Sequence, residues 1–259
     1  MKYLISLFTI SCLLLSEVSY AQTNKRFTKE GSVEFEKTVN MFALIAKTIN
    51  KENESFMQQA FDAYKKSKPQ FVKLKSTLTF GNNQTLFAPV ANNESAEGAF
   101  GDNPMVGQNN ITYTNLSTNT SATQKTVFEE KFLVKDTVRK IKWKITDEVR
   151  DIAGYSCRRA NALIMDSVYV VAFYTDEIPV SGGPESFTGL PGMILGVALP
   201  HENITWFATK VTDQTIAANI IKPPVKGKPV DNKQLQATFK SVMKDWGNYS
   251  QIALKAFLL

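Results

Sequence analysis

Cys157 lies in the run Gly154-Tyr155-Ser156-Cys157-Arg158-Arg159, beside two guanidinium groups. A thiol becomes a nucleophile when a nearby cation favours its thiolate and a base and an orienting group complete the site. Neighbours along a strand point to opposite faces, so Arg159 rather than Arg158 is the candidate activator. The same residues also fit a cysteine facing a sheet's core, and that is the expectation here. Paired carboxylates occur at Asp147-Glu148, with Asp151 close behind, and at Asp176-Glu177. General acid–base work needs two carboxyl groups at a set distance with separated pKa values. Spacing alone gives neither, and "TDEVRD" and "TDEIP" read as solvated turns. The one histidine, His201, follows Pro200 and precedes Glu202-Asn203, which suits an exposed turn. A structural zinc site takes about four ligands of the Cys/His type, so no metal is expected.

The densest cluster of special residues is "EIPVSGGPESFTGLPGMIL", residues 177–195. Seven of its 19 positions are glycine or proline. It contains neither the G-x-x-x-x-G-K-[ST] nor the G-x-G-x-x-G pattern, so no nucleotide or other cofactor is expected. As a binding loop it would offer Ser181, Gly182, Gly183, Pro184, Glu185, Gly189, Leu190, Pro191 and Gly192. As a structural corner it would make two tight bends. One would turn at Gly182-Gly183-Pro184, the other as a type II turn centred on Pro191-Gly192. Buried Phe187 and Leu190 would pin both bends. Ser181 and Glu185 then have no backbone duty and are expected at the surface. Asn110 and Asn203 begin Asn-x-Ser/Thr triplets, which matter only in a glycosylating host.

The elements that must hold these residues are mostly strands. "SVEFEKTVNM" places Val33, Phe35, Val39 and Met41 at alternate positions, the mark of a half-buried strand. "SFMQQAFDAYKK" spaces Phe56, Ala60, Phe61 and Tyr64 as a helix over 55–67, with Ser55 as cap. "FVKLKSTLTF", "GNNQ" and "TLFAPV" read as strand, turn and returning strand. Residues 91–110 lack periodicity and read as a long loop. "ITYTNLS", "KTVFEEKFLV", "RKIKWKIT", "YSCRRANALI", "SVYVVAFYT", "MILGVAL" and "ITWFATKV" read as further strands. Meander order is the simplest arrangement, because sequence neighbours usually pair. "IIKPPVKGKP" is too rich in proline for a central strand and reads as a connector. Asp231 and Gln234 form a capping-box pattern. Leu235, Phe239, Val242, Met243 and Trp246 then give the helix over 232–247 one apolar stripe. The expected fold class is α+β, a predominantly antiparallel curved sheet with the C-terminal helix packed on it.

The N-terminal "MKYLISLFTISCLLLSEVSYAQ" has a lysine, an apolar run from Leu4 to Leu15, and the small-x-small site Ser19-Tyr20-Ala21. It reads as a secretory signal ending at residue 21, followed by a single domain over 22–259. Cys12 would leave with it, and a lone Cys157 forms no internal disulfide. The formal charge of +6 comes from scattered lysines and arginines and suits a solubilising surface. Export argues against a nucleic-acid partner. No transmembrane segment is expected after the signal.

"WKITDEVRDIAGYSCRRANA", "VAFYTDEIPVSGGPESFTGLPGMILGV" and "ITWFATKV" together resemble the GLPGLI family of exported proteins from Bacteroidetes-type bacteria. Gly189-Leu190-Pro191-Gly192-Met193-Ile194 stands for the motif that names the family. Trp143, Gly154, Tyr155, Cys157, Pro179, Gly183, Pro184 and Phe187 belong to the shared pattern, which covers roughly residues 31–212. Met193 stands where leucine is usual and Phe173 where tryptophan is common, both with apolar bulk kept. The resemblance implies a periplasmic, outer-membrane-associated or secreted protein and transfers no catalytic residue. The expected function is a non-enzymatic module binding a partner protein or an apolar ligand. A hydrolase with a site near Cys157 and the 181–192 loop is the alternative.

Overall fold

The computed structural model describes residues 27–90, 103–127, 129–217 and 219–259. β1 (Gly31–Asn40) keeps the alternation seen in its sequence, with Val33, Phe35, Val39 and Met41 buried. Lys37 occupies the same face and is buried with them. Asn40 Oδ1 accepts from the Ala43 N–H at 3.2 Å and caps α1 (Met41–Ala46). α2 (Glu54–Ser67) matches the expected helix, but its N-cap is Asn53 rather than Ser55. It buries only Phe61, while Phe56 is exposed. Phe61 and Tyr64 meet Phe42 edge-on, with ring centroids at 6.1 and 6.3 Å.

β2 (Phe71–Gly81) and β3 (Gln84–Pro89) form the expected hairpin, with Asn82 and Asn83 both at positive φ. Residues 91–102 of the expected loop lie outside the described residues. Its end contains a short helix, α3 (Pro104–Gly107), capped by Asn103. β4 (Ile111–Asn115), β5 (Thr120–Val127) and β6 (Glu130–Thr137) continue the meander. β7 (Lys144–Ile152) begins later than expected, since residues 140–143 are not strand. It also takes in Asp147, Glu148 and Asp151, which the sequence suggested were turns. β7 is the edge of the sheet and is exposed on both faces, so it carries no apolar alternation.

β8 (Tyr155–Ile164), β9 (Val168–Thr175), β10 (Met193–Leu199) and β11 (Ile204–Asp213) follow. A 3-10 turn, Pro200–Glu202, joins the last two and leaves His201 exposed. The proline-rich connector contains only β12 (Lys228–Val230), a short edge strand parallel to β6. Asp231 and Gln234 complete the capping box of α4 (Asn232–Val242), at 2.7 and 3.0 Å. The expected single helix ends at Val242. Gly247 at φ +53 turns the chain into α5 (Asn248–Leu258). Val242 and Trp246, expected on the apolar stripe, are therefore exposed, and Leu235, Phe239 and Met243 carry the packing.

The 12 strands among the described residues form one sheet, in the order β12-β6-β5-β4-β3-β2-β1-β11-β10-β9-β8-β7. The fold is thus α+β and mostly antiparallel. It consists of two meanders joined where β1 pairs with β11. β6 and β7 stand at opposite sides of the sheet, yet only residues 138–143 separate them. A flat sheet would hold those strands about 48 Å apart. The connection reaches at most about 25 Å. The sheet must curl strongly, and its concave side encloses the main core of Phe35, Leu78, Phe80, Phe187, Ile194 and Trp206. A second cluster seats α4 and α5 on β5 and β6, through Phe132, Phe239 and Phe257. Among the described residues no helix is long and apolar enough to cross a membrane.

Candidate functional site

The loop between β9 and β10 enters the curl and fills it. Gly182, Gly183, Pro184, Glu185, Leu190 and Gly192 are buried, Ser181 is half-buried, and Gly189 and Pro191 are exposed. Phe187 is buried to 1% exposure and packs against Trp206, with ring centroids 6.2 Å apart. The bends differ from the expected type II turn. Three hydrogen bonds each span two residues: Val180 N–H to Ile178 C=O, Gly182 N–H to Val180 C=O, and Gly192 N–H to Leu190 C=O, all at 2.8 Å. These are γ-turns centred on Pro179, Ser181 and Pro191. The loop then pairs with the start of β10, as Met193 N–H donates to Ile178 C=O at 3.0 Å and Ile194 N–H to Gly182 C=O at 2.8 Å.

Two side-chain contacts pin the loop, one from outside it and one within it. Trp143 Nε1–H donates to the Thr188 carbonyl at 2.8 Å. The Gly189 N–H donates to Ser181 Oγ at 3.0 Å, so Ser181 has a structural partner. Gly183 and Gly192 are required sterically. A Cβ on Gly192, at φ +149, would lie 2.0 Å from the Thr175 carbonyl oxygen. One on Gly183 would lie 2.6 Å from the Phe187 carbonyl oxygen.

Glu185 is the exception to the surface reading. It sits at φ +52, 8% exposed, with its carboxylate directed into the protein. Asn110 Nδ2 donates to Glu185 Oε2 at 3.0 Å. Lys37 and Lys125 are buried nearby and interact electrostatically with it. Burial raises the Glu185 carboxyl, against the opposing pull of Lys37, the Asn110 hydrogen bond and Lys125. Burial also lowers both lysines to about 8, with Glu185 pulling the other way.

Asn110, Lys125 and Glu185 border a small cavity, with about 40 Å³ open to the centre of a water molecule. One wall is the inner face of β4 and β5, which is made of hydroxyls. Thr112 pairs with Thr123 across the strands, and Thr114 pairs with Ser121. Lys125 extends this row, Glu185 and Ser186 come from the loop, and Arg139 comes from the β6–β7 connection. α5 closes the cavity. Lys125 Nζ donates to the Phe257 carbonyl at 2.8 Å, Arg139 Nη2 to the Leu258 carbonyl, and Ser186 Oγ to a Leu259 oxygen at 2.9 Å. Cations suit this end of a helix, where carbonyls lack partners and the dipole is negative. Thr137, Val138, Arg139 and Asn232 border both this cavity and an outer groove of about 700 Å³. Chemically, the cavity can hold a small polar group.

Cys157 lies elsewhere, fully buried on β8. Burial first, then Asp151 and Glu177, push its thiol up to about 12. Arg159 does not activate it, because its guanidinium binds Glu148 and Asn161. No group of three or more His, Cys, Asp or Glu side chains converges as a metal site among the described residues.

The sequence pointed to this loop but missed Lys37, Lys125, Arg139 and the threonines. One signal was available: Lys37 falls in register with the buried Val33, Phe35 and Val39.

Residues 163–196 match the model of a Bacteroidetes-type family described as "Protein of unknown function (Porph_ging)". No curated protein matches the chain. Among solved structures, PNGF-II in space group C2 is similar at 13% identity and a TM-score of 0.51, covering 84% of this chain and 33% of that one. PNGF-II in space group P21 gives 14% identity, a TM-score of 0.49 and the same coverage. An uncharacterized conserved protein from Thermus thermophilus gives 6% identity and a TM-score of 0.38, over 80% of this chain and 93% of that one. This chain spans about a third of the length of PNGF-II. At such identities the likeness to PNGF-II in the C2 form concerns the fold alone.

Proposed function

We propose that this chain is an exported cell-envelope protein of the GLPGLI type and a non-catalytic binding module for a small polar molecule. Its N-terminal residues have the composition of a secretory signal, and the family match includes the motif at 189–194. The observation that carries the binding reading is the hydroxyl-lined inner face of β4 and β5. Protein interiors are normally apolar, and a buried hydroxyl costs stability unless it finds a partner. Ser121 and Thr123 donate to the Asp136 carbonyl and to Thr112, and the wall they form with Thr112 and Thr114 stays polar and suits a polar guest, which moves the expected ligand class from apolar to polar. In this reading the motif loop acts as scaffold: it plugs the curl and delivers Glu185 to the cavity wall. A hydrolase at Cys157 has less support, because that thiol is buried and held neutral.

The test is native mass spectrometry of the protein isolated from its own host, beside a Ser121→Leu variant that fills the cavity. The wild type should carry a small molecule that the variant lacks, with both folded by circular dichroism. Equal ligand occupancy in the two proteins overturns the assignment of this cavity. Ester or peptide hydrolysis that disappears in Cys157→Ser overturns the non-catalytic reading.

A further inference from the structure

We infer that the cavity binds the acidic group of its ligand, a carboxylate or phosphate, between Lys125 and Arg139. This inference rests on the cavity being a ligand site, as proposed above, and adds the chemistry of the ligand.

The charge inventory comes first. Three cationic side chains face this region, Lys37, Lys125 and Arg139, against two carboxylates, the Glu185 side chain and the terminal group of Leu259. Glu185 also borders a smaller void with Lys37 and Asn110, and accepts from Asn110 there. Neither Lys125 nor Arg139 forms an ion pair among the described residues. Glu185 opposes Lys125 only at longer range, so one positive charge remains in excess here, and a guest anion relieves the cost of burying it.

Unused hydrogen-bonding capacity comes second. A lysine ammonium has three donors. One from Lys125 is taken by the Phe257 carbonyl. Arg139 spends Nη2 on the Leu258 carbonyl, while its Nη1 is buried with no partner. On the adjoining wall Ser121 Oγ donates to the Asp136 carbonyl and Thr123 Oγ1 to Thr112 Oγ1, which leaves the Thr112 and Thr114 hydroxyls to donate to the same oxygens. Asn110 is 3% exposed, and its Oδ1 is also unpartnered. That acceptor suits a hydroxyl or a protonated oxygen on the ligand. The combination of two unsatisfied cations, a row of hydroxyls and one spare acceptor is a receptor for an oxyanion.

Size and access agree. A water requires roughly 10–15 Å³ of such space, so the cavity admits about three waters, which a carboxylate or phosphate group would replace. The shared border at Thr137, Val138, Arg139 and Asn232 leads to the outer groove, where Lys140, Lys142, Leu163 and Met165 can receive the rest of the molecule. Burial holds Lys125 at about 8, which leaves it mostly protonated at neutral pH.

The experiment uses the full chain, isotope-labelled, titrated with acetate, inorganic phosphate and acetamide while backbone amide shifts are followed by NMR. Acetamide is a neutral counterpart of acetate. Saturable shifts at Thr112–Thr114 and Thr123–Lys125 are expected with acetate or phosphate, and the stronger of the two identifies the acidic group. Acetamide should bind at least about 10-fold more weakly. Removing a hydrogen bond to a charged group weakens binding by about 10- to 100-fold. Lys125→Met and Arg139→Gln should each show a loss of that size, and Arg139→Lys should recover part of it. Acetamide binding as tightly as acetate refutes the inference while leaving a polar cavity in place. No response to any probe, with Lys125→Met merely lowering the melting temperature, also refutes it and makes the capping of α5 the whole role of these cations. Loss of the co-purifying molecule in Ser121→Leu is read separately and reports on the cavity assignment alone.

Discussion

Gly192→Ala and Gly189→Ala separate two costs that motif glycines usually carry together. Both positions have positive φ, at +149° and +93°. Each alanine therefore carries a backbone penalty of about 1–2 kcal/mol. Their surroundings differ. The Cβ of an alanine at 189 would meet nothing nearer than Trp143 Nε1 at 3.5 Å, an ordinary contact. At 192 it would lie 2.0 Å from the Thr175 carbonyl oxygen and 2.7 Å from its carbon, both backbone atoms of β9. Relief requires parting β9 from β10 where Thr175 pairs with Met193. Overpacking of this kind adds about 1–3 kcal/mol or more. The expected totals are about 1–2 kcal/mol for Gly189→Ala and about 2–5 kcal/mol or more for Gly192→Ala. For a chain of this size each kcal/mol lowers Tm by about 2–4 °C. Gly189→Ala should then melt about 2–8 °C below wild type. Gly192→Ala should melt about 4–20 °C or more below it, or fail to fold. Differential scanning calorimetry of the three proteins measures this. Equal losses in both variants would refute the steric part of the reasoning, and no loss in either would refute the conformational part.

Cys157→Ser should cost about 1–3 kcal/mol by placing a hydroxyl in the core, and a thiol reagent should leave native wild type unlabelled until denaturant is added. Trp143→Phe removes the donor to the Thr188 carbonyl and should lower stability by about 1–2 kcal/mol in urea titrations, while circular dichroism keeps its sheet signature. Lys37 has its folded pKa lowered to about 8, so its stabilising contribution is present above the unfolded lysine value and is lost as pH falls through 8. Stability should therefore rise between pH 8 and 10, by about 2 kcal/mol from this residue. Lys37→Met should remove that share of the slope, and an unchanged slope in urea melts across this range would contradict the burial of a titrating amine.

The strands were legible where one face is buried and the other wet. β1 shows this in Val33, Phe35, Val39 and Met41, and the capping box at Asp231 and Gln234 announced α4 in the same direct way. The failures follow from physics that periodicity does not contain. β7 is exposed on both sides, so "TDEVRD" has no apolar phase and looks like turn. The inner face of β4 and β5 is polar, and a pattern that equates inward with apolar cannot tell which threonines face in. Lys37 was visible as the one residue breaking an apolar row, although its partner Glu185 lies 148 positions away by subtraction of the two numbers. The bends at 178–192 were foreseen as corners pinned by Phe187 and Leu190. Their γ-turn geometry depends on pairing with Met193 and Ile194, which tertiary structure supplies.

The seam between the two meanders bears on how the chain reaches its fold. β2 to β6 and β7 to β10 each pair with a neighbour in sequence, so both halves can form from short loop closures. β1 instead meets β11, joining Gly31 to Asp213 across most of the chain. Contacts of such high sequence separation form slowly, because their closure entropy must be overcome before any pairing rewards it. During synthesis β1 emerges first and its β11-facing edge has no partner until almost every other strand has been made. For that interval the first meander presents an open row of amides and carbonyls, the template on which chains aggregate or exchange strands. Glu34 and Glu36 place charge on that strand, and charged side chains blunt a strand edge that has no partner.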